Sequence, residues 1–345
     1  MLQKIATFLF IVIFLGVFSF FYWEDFFKHL QQKEKQVKQE KIISSRLEDF
    51  WIEKIRNLEN TEFFVSNKNV LGKIVHKINK AKKSVYIEVY MLTERKIKLA
   101  LFNAKKRWVD VKIILEHSPY LAKSINEKYF WEYKNAWLNI VWSNPKNYVL
   151  NHSKIILIDE KELILSTWNF TSSNFRKNRD LFIFSEDKNI VYSFLEIFNS
   201  DFLWKKITKY DDSLVISPNY SRIKIEKLLR FARKNIKIYI PYLKDKEILK
   251  ILKQKQKKWL KIEIIMSNFW YEDFVKNYGK ILKISKLNKN LNMHSKAVLV
   301  DEKYLFIWSE NFSSPSFDEN REMWILLKNS EIIKRFNNVF NSDKN

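Results

Sequence analysis

The sequence of 345 residues contains no cysteine and only three glycines, and both shortages limit what the chain can be. Without cysteine there is no disulfide framework, no zinc–thiolate site and no catalytic thiol. Three glycines are far fewer than the usual share of about 7% of residues. Hydrophobic residues make up 46% of the chain and aromatic residues 16%, so material for a large core is available and a wholly disordered chain is excluded.

Acidic residues are in the minority as well, with 39 Asp and Glu against 62 Lys and Arg, for a formal net charge of +23. Such a charge favours polyanionic partners, either nucleic acid or the anionic face of a membrane. The lysines do not form one block, so a basic composition spread over a solvated surface is the other interpretation.

The N-terminal segment contains an uncharged run from Ile5 to Tyr22, rich in Phe, Ile, Leu and Val. A run of this length can cross a bilayer as a helix. The following SFFYWED offers no small-residue cleavage site, which favours an uncleaved anchor over a signal peptide. We therefore predict a single-pass membrane protein with a transmembrane helix in residues 1–23 and a polar helical stalk in residues 24–58. The sequence does not determine on which side of the membrane the rest of the chain lies.

The remainder of the chain contains an internal repeat. KKSVYIEVYML and KKRWVDVKIILEHS in the first half correspond to RKNIKIYIPYL and QKKWLKIEIIMS in the second, at one constant offset. In both halves, strand-like segments alternate with helical ones, which is typical of α/β folds. The sequence predicts a duplicated domain, with the first copy in residues 59–208 and the second in residues 209–345.

One motif, H-x-K-x4-D, occurs once in each half and continues with an asparagine and an acidic residue at matching spacing. The first copy consists of His152, Lys154, Asp159, Asn169 and Asp180, and the second of His294, Lys296, Asp301, Asn311 and Glu322. Residues two apart on a strand share a face, so the histidine and lysine of each copy are expected to point the same way. Recurrence of the whole set makes chance an unsatisfactory explanation.

These residue types suit the cleavage of a phosphodiester. A neutral histidine can attack phosphorus as a nucleophile, and a second, protonated histidine can supply the leaving oxygen with a proton. Two lysines and two asparagines can neutralise and position the phosphate oxygens as charge develops. The repeat thus has a chemical reason, because the reaction needs two histidines on either side of one phosphate.

Over roughly residues 60–345 the chain resembles the phospholipase D superfamily, the HKD phosphodiesterases. The resemblance implies two α/β/α sandwich domains related by a pseudo-twofold, which form one active site within a single chain and need no metal or other cofactor. It makes His152 the nucleophile and His294 the general acid, with Asp180 and Glu322 as candidates to orient them. Asp159 and Asp301 complete the catalytic motif but fit a structural role better. The implied phosphate-binding residues are Lys154, Lys296, Asn169, Asn311 and Ser309.

The resemblance leads us to expect a membrane-anchored phosphoric diester hydrolase that cleaves phospholipids through a phosphohistidine. Three alternatives stay open: a metal-independent nuclease, a cardiolipin-synthase-like phosphatidyl transferase and a non-catalytic polyanion-binding module. The phosphate-binding residues do not separate lipid from nucleic acid, nor do they determine the head group or the acceptor.

Several of the twelve tryptophans stand where glycine is expected. WSEN places Trp308 at the glycine of the family's G-S-x-N pattern, Trp108 and Trp259 precede matching strands, and Trp324 follows in REMWILL. One hypothesis explains scarce glycine and surplus tryptophan together: the source reads UGA as glycine, and the printed sequence translates it as tryptophan. The rival interpretation is genuine tryptophan and a degenerate, weak or inactive site.

Overall fold

The computed structural model describes residues 55–66, 68–172, 177–207, 211, 213–218, 221–287, 291–309 and 311–344, with only the backbone described at 68 and 324. The predicted transmembrane helix lies outside these ranges, as does all of the predicted stalk before residue 55. Within the ranges described, the helices are too short or too polar to span a bilayer.

The first half builds a seven-stranded mixed sheet with the order β1-β8-β6-β5-β2-β3-β4. Its strands are β1 (Thr61–Val65), β2 (Ser84–Val89), β3 (Asp110–Leu115), β4 (Asn139–Trp142), β5 (Lys154–Ile158), β6 (Glu162–Ser166) and β8 (Leu181–Ser185). Strands β2, β3 and β4 run parallel, whereas β5 is antiparallel to β2. Nearly every residue of β2, β5 and β8 is buried, as expected for strands covered on both faces.

The second half repeats this arrangement in a sheet of order β12-β11-β10-β14-β15-β16-β9. Its strands are β9 (Leu214–Ser217), β10 (Asn235–Ile240), β11 (Lys261–Met266), β12 (Lys283–Lys286), β14 (Ala297–Val300), β15 (Tyr304–Trp308) and β16 (Glu322–Leu327). A short ladder between β7 (Asn178–Arg179) and β13 (Asn292–Met293) joins the two halves beside the repeated motifs.

Helices cover both sheets. The described helices are α1 (Lys68–Lys80), α2 (Arg95–Lys106), α3 (Lys123–Asn135), α4 (Lys188–Phe202), α5 (Ser221–Phe231), α6 (Lys246–Lys257), α7 (Asn268–Tyr278), α8 (Ser314–Asp318) and α9 (Ser330–Lys344). On the first sheet, apolar residues of α1, α2 and α3 form one core cluster with one face, while α4 packs in another cluster with the opposite face. The duplicated α/β architecture is thus confirmed.

A single hydrophobic core joins the two halves. The Tyr86 ring of β2 stacks on Phe198 of α4, with ring centroids 5.1 Å apart. In the second half Tyr239 of β10 packs at a tilt against Phe340 of α9, with ring centroids 4.9 Å apart. Both pairs belong to one buried cluster that contains residues from both sheets. This shared core holds the halves in a fixed relation, and the boundary between residues 208 and 209 stays a prediction.

Four tryptophans occupy the residue that follows a helix C-cap. Their φ angles lie in the left-handed region, at 65° for Trp108, 60° for Trp137, 57° for Trp204 and 64° for Trp259. In each turn the next amide donates to a carbonyl five residues earlier, as Val109 does to Ala104 at 3.1 Å. This is the Schellman geometry in which glycine is the usual residue.

The prediction that Trp108 and Trp259 lie at tight turns is therefore confirmed, and Trp137 and Trp204 join them. The two described glycines, Gly72 and Gly279, do not have positive φ. Trp308 differs from the four, because it lies in β15 and is fully buried, with its indole stacked on Phe312 at 5.0 Å. The backbone of Trp324 lies in strand β16, so the expectation of a tight turn there was wrong. The recoding of UGA itself stays a prediction.

Candidate active site

The two histidines lie at corresponding edges of the two sheets. Strands β2, β3 and β4 all end at one edge of the first sheet, and β5 begins there, with Lys154 opposite Val89. His152 lies just before β5 and His294 just before β14. We call this edge of both sheets, where β2, β3, β10 and β11 end, the carboxyl edge; loops at such an edge commonly carry ligand sites in α/β folds.

Each histidine is held by the acidic residue of the other half. The Nδ1 atom of His152 lies 2.9 Å from Oε1 of Glu322, and Nδ1 of His294 lies 2.8 Å from Oδ1 of Asp180. Both carboxylates are fully buried. The prediction that Asp180 and Glu322 orient the histidines is supported by these contacts, and the crossed pairing means that neither half has a complete site alone.

A hydroxyl in each half fixes the acidic residue. Thr167 Oγ1 donates to Asp180 at 2.6 Å, and Ser309 Oγ donates to Glu322. Sequence reasoning placed Ser309 among the phosphate-binding residues, but its hydroxyl is directed to the carboxylate, so a positioning role fits it better. Thr167 was missed, although it aligns with Ser309 when the two motif copies are superimposed.

Two buried arginines were also missed, and both precede the acidic residues in NRD and NRE. The backbone carbonyl of Arg321 accepts the amide of His152 at 2.8 Å, and that of Arg179 accepts the amide of His294 at 3.1 Å. Their side chains form buried ion pairs with acids of the opposite half, Arg321 with Asp201 at 2.9 Å and Arg179 with Asp343 at 2.8 Å. Each arginine thereby ties the backbone of one histidine to the far domain.

The two motif lysines are buried beside the histidines. Nζ of Lys296 lies 3.2 Å from Nε2 of His294, and both lysines donate to the backbone carbonyl of their own motif histidine, at 2.5 Å for Lys154 and 2.7 Å for Lys296. Burial lowers the pKa of Lys154 well below its usual value and lowers the pKa of Lys296 to about 8. Two such ammonium groups, with little water around them, suit a bound phosphate anion.

The charges of the site act on the histidines as well. Burial, followed by the charges of Lys154 and Lys296, lowers the pKa of His152 well below its usual value. Burial and Lys296 likewise lower the pKa of His294, while Asp180 opposes them. Burial raises the pKa of Glu322 to about 8. Because Nδ1 of His152 is held by Glu322, Nε2 is the ring nitrogen left to attack a phosphate.

The asparagines of the motifs each present an oxygen without a partner. Oδ1 of Asn169 and Oδ1 of Asn311 are both buried, and no hydrogen-bond partner for either is found among the described residues. Buried polar atoms are nearly always satisfied in folded proteins, and exceptions cluster at functional sites. An amide oxygen accepts hydrogen bonds and does not donate them, so the phosphate-binding role of these residues, which needs the Nδ2 donor, stays a prediction.

The aspartates that end the motifs belong to turns and not to the catalytic set. Asp159 accepts the backbone amides of Lys82, Lys83 and Ser84 at the end of β5 opposite to Lys154. Asp301 accepts those of Arg233, Lys234 and Asn235 in the second half. These bonds fit the structural role that the sequence analysis favoured for Asp159 and Asp301, and not their place among the catalytic residues.

The Lys296 ammonium predicts how activity depends on pH. Below about pH 8 this group is charged and attracts a phosphate; as pH rises through about 8 it loses its proton and the attraction weakens. We expect kcat/KM to fall on the alkaline side of pH 8, because this ratio reports the free enzyme. Lys296→Arg, whose guanidinium keeps its charge, should move this fall to higher pH; an unchanged profile would assign the titration to another group.

Comparisons with known proteins agree with this geometry. The family model described as "Cardiolipin synthase, PLD-like domain" matches residues 74–202 and 225–344. A "Phospholipase D" of Rickettsia prowazekii is 32% identical over 123 residues, or 36% of this chain, and the match spans 58% of that protein's length. A "Cardiolipin synthase" of Clostridium perfringens is 23% identical over 81% of this chain and 69% of its own. The solved phosphatidylserine synthase of Haemophilus influenzae superimposes with a TM-score of 0.68 at 14% identity, over 84% of this chain and 87% of that one, which shows the shared fold.

Proposed function

Because this chain belongs to the phospholipase D-like family of phosphodiesterases, we propose that it is a membrane-anchored phospholipase that hydrolyses phospholipid phosphodiester bonds. One observation carries the catalytic part of the proposal: each motif histidine is hydrogen-bonded, through Nδ1, to the buried acid of the other half. The charges of Lys154, Lys296 and His294 all act on His152, so two imidazoles and two lysines lie near one another, as phosphoryl transfer requires.

The first chemical step forms a covalent intermediate. Nε2 of His152 attacks phosphorus, and the bond from phosphorus to the head-group oxygen breaks. His294, protonated when substrate binds, gives its proton to that departing oxygen, so the head group leaves as a neutral alcohol. Glu322 stabilises the positive charge that develops on the His152 ring as the phosphohistidine forms.

The second step returns the enzyme to its starting state. His294, now neutral, takes a proton from water, and the water oxygen attacks phosphorus of the phosphohistidine. The bond from phosphorus to Nε2 of His152 breaks, phosphatidic acid leaves, and His294 is again protonated. Lys154 and Lys296 remain on the non-bridging phosphate oxygens through both steps, where they offset the negative charge.

Lipid is the favoured substrate class for two reasons. The uncharged run Ile5–Tyr22 predicts an anchor that would keep the site at a bilayer. Relatives from Rickettsia carry the name phospholipase D, although the chain spans only 58% to 59% of their length. The net charge of +23 suits anionic lipids as well as nucleic acid, so it does not separate these substrates.

Head-group transfer is the second candidate. A relative named cardiolipin synthase matches over 81% of this chain. The chemistry is shared up to the phosphohistidine, and an alcohol in place of water in the second step gives transfer. The balance between the two outcomes depends on which acceptor reaches phosphorus once the head group has left.

The test uses the full chain reconstituted in mixed phospholipid vesicles, with glycerol present or absent, and a parallel incubation with single-stranded DNA. His152→Asn serves as the control for each substrate. We expect phosphatidic acid from the vesicles and none from the control protein. If phosphatidylglycerol forms from other lipids when glycerol is present, the protein is a phosphatidyl transferase and not a hydrolase. If DNA is cleaved and no lipid is turned over, the protein is a nuclease.

A further inference from the structure

Four exposed apolar side chains lie at the carboxyl edge, where the site lies. Leu121 is 89% exposed and Tyr120 80% in the loop that follows β3, Phe269 is 82% exposed in the first turn of α7 after β11, and Val149 is 62% exposed in the loop before β5. We call these four residues the apolar rim. Solvent-exposed Leu, Tyr and Phe side chains grouped at one edge commonly mark an interaction surface.

The rim is linked directly to the catalytic residues. The amide of Tyr120 donates to the Tyr90 hydroxyl at 2.5 Å, and the Tyr90 ring packs edge-on against His152, with centroids 4.9 Å apart. The Val149 amide donates to the carbonyl of Glu319 at 2.9 Å, close to Arg321 and the Glu322 that holds His152. A surface that engages the rim would therefore lie at the entrance to the site.

Lysines flank the rim. Lys123 follows Leu121, Lys146 precedes Val149, and Lys244 lies on the loop after β10, all three exposed. Three acidic residues lie nearby: Glu127 is 3.9 Å from Lys123, and Asp318 and Glu319 lie on the segment beside Val149, where Asp318 is paired with Arg222 at 2.6 Å. Apolar side chains bordered by cationic ones complement a bilayer with anionic head groups, because the former enter the acyl boundary and the latter remain at the phosphates.

We infer that the apolar rim inserts into an anionic phospholipid bilayer and seats the carboxyl edge on the membrane surface. A phosphodiester at the head-group level would then reach His152 and His294 without leaving the lipid phase completely. This inference deepens the proposed function and rests on it, since a bilayer-facing rim serves a site that acts on lipid.

The absence of cysteine gives a clean test in the full chain. Leu121→Cys and Phe269→Cys are labelled with an environment-sensitive fluorophore in a His152→Asn background, so that the vesicles are not consumed. Tyr192→Cys is the matched control, because Tyr192 is 62% exposed on α4, which starts at the opposite edge of the sheet. The vesicles contain phosphatidylcholine, with and without phosphatidylglycerol.

We expect nitroxide-labelled lipid to quench the dyes at 121 and 269 at least about twofold more than the dye at 192, and iodide in water to show the reverse order. The difference should grow with phosphatidylglycerol. Equal iodide access at all three positions would overturn the inference, as would protection of 121 and 269 by single-stranded DNA but not by vesicles.

Release of phosphatidic acid by the protein that retains His152 is measured separately, and it distinguishes this inference from the proposed function. If the dyes are buried in the bilayer but no phosphatidic acid is released, membrane insertion of the rim is supported and the proposed phospholipase activity is contradicted. If phosphatidic acid is released while both dyes stay in water, the phospholipase activity is supported and membrane insertion of the rim is contradicted.

Discussion

His152→Asn lowers kcat by at least about 10⁴-fold with every phosphodiester tested, because no nucleophile remains to form the covalent intermediate. His294→Asn gives a different result. With a poor leaving group such as a lipid head-group alcohol, the loss is about 10²–10⁴-fold, the usual value of a general acid. With 4-nitrophenolate, which leaves without a proton, His294→Asn should recover most of the rate of the first step.

The measurement is burst-phase kinetics on two diesters that differ only in their leaving group. It assigns the two roles independently of the resemblance that suggested them. If His152→Asn, and not His294→Asn, recovers with the activated substrate, the roles of the two histidines are exchanged. His294 is then the nucleophile and His152 the general acid. Glu322→Gln should reduce the rate with both substrates, because Glu322 acts through His152 and not on the leaving group.

Replacing Trp108, Trp137 and Trp259 by glycine together should raise the free energy of unfolding by about 2 kcal/mol. The left-handed conformation costs a non-glycine residue about 1–2 kcal/mol. Glycine removes this cost but loses about 0.5–1 kcal/mol in chain entropy, so each site gains the difference, about 0.5–1 kcal/mol. The three indoles are largely exposed, so little packing is lost. Trp204 is left in place, because its indole N–H donates to the Trp142 carbonyl at 3.3 Å.

Trp131→Gly is the matched control for this variant. Trp131 is exposed too, but it lies inside helix α3, where glycine is unfavourable by about 0.5–1 kcal/mol. Denaturant unfolding should therefore show opposite signs for the same chemical change. A loss of stability in the triple variant as well would mean that the indoles contribute contacts that outweigh the backbone conformation.

Mass spectrometry of the protein from its own source tests the recoding hypothesis behind these positions. Recoding predicts an intact mass below that of the printed sequence, and peptides with glycine at 108, 137, 204, 259 and 308. A mass equal to that of the printed sequence ends the hypothesis. The four left-handed turns would then be genuine strained positions.

Much of the site could be read from sequence because the motif is duplicated. Two copies of H-x-K-x4-D with a following asparagine and acid identify His152 and His294 without any structure, since independent recurrence is improbable. The same pattern could not separate the residues that contact the reaction from those that hold the backbone. Asp159 and Asp301 are as regular in spacing as the histidines, yet they bind turn amides at the far end of their strands.

The sequence by itself determined the α/β duplication, the two histidines with their lysines, and the positions where tryptophan replaces a turn residue. Each of these features can be recognised from periodicity, fixed spacing or backbone preference within a short segment of the chain. Only the tertiary structure decided which acid serves which histidine, that Arg179 and Arg321 hold the backbone of the opposite half, and that the four residues of the apolar rim lie at the carboxyl edge. Those relations join residues more than a hundred positions apart, and they exist only because two sheets pack around one core.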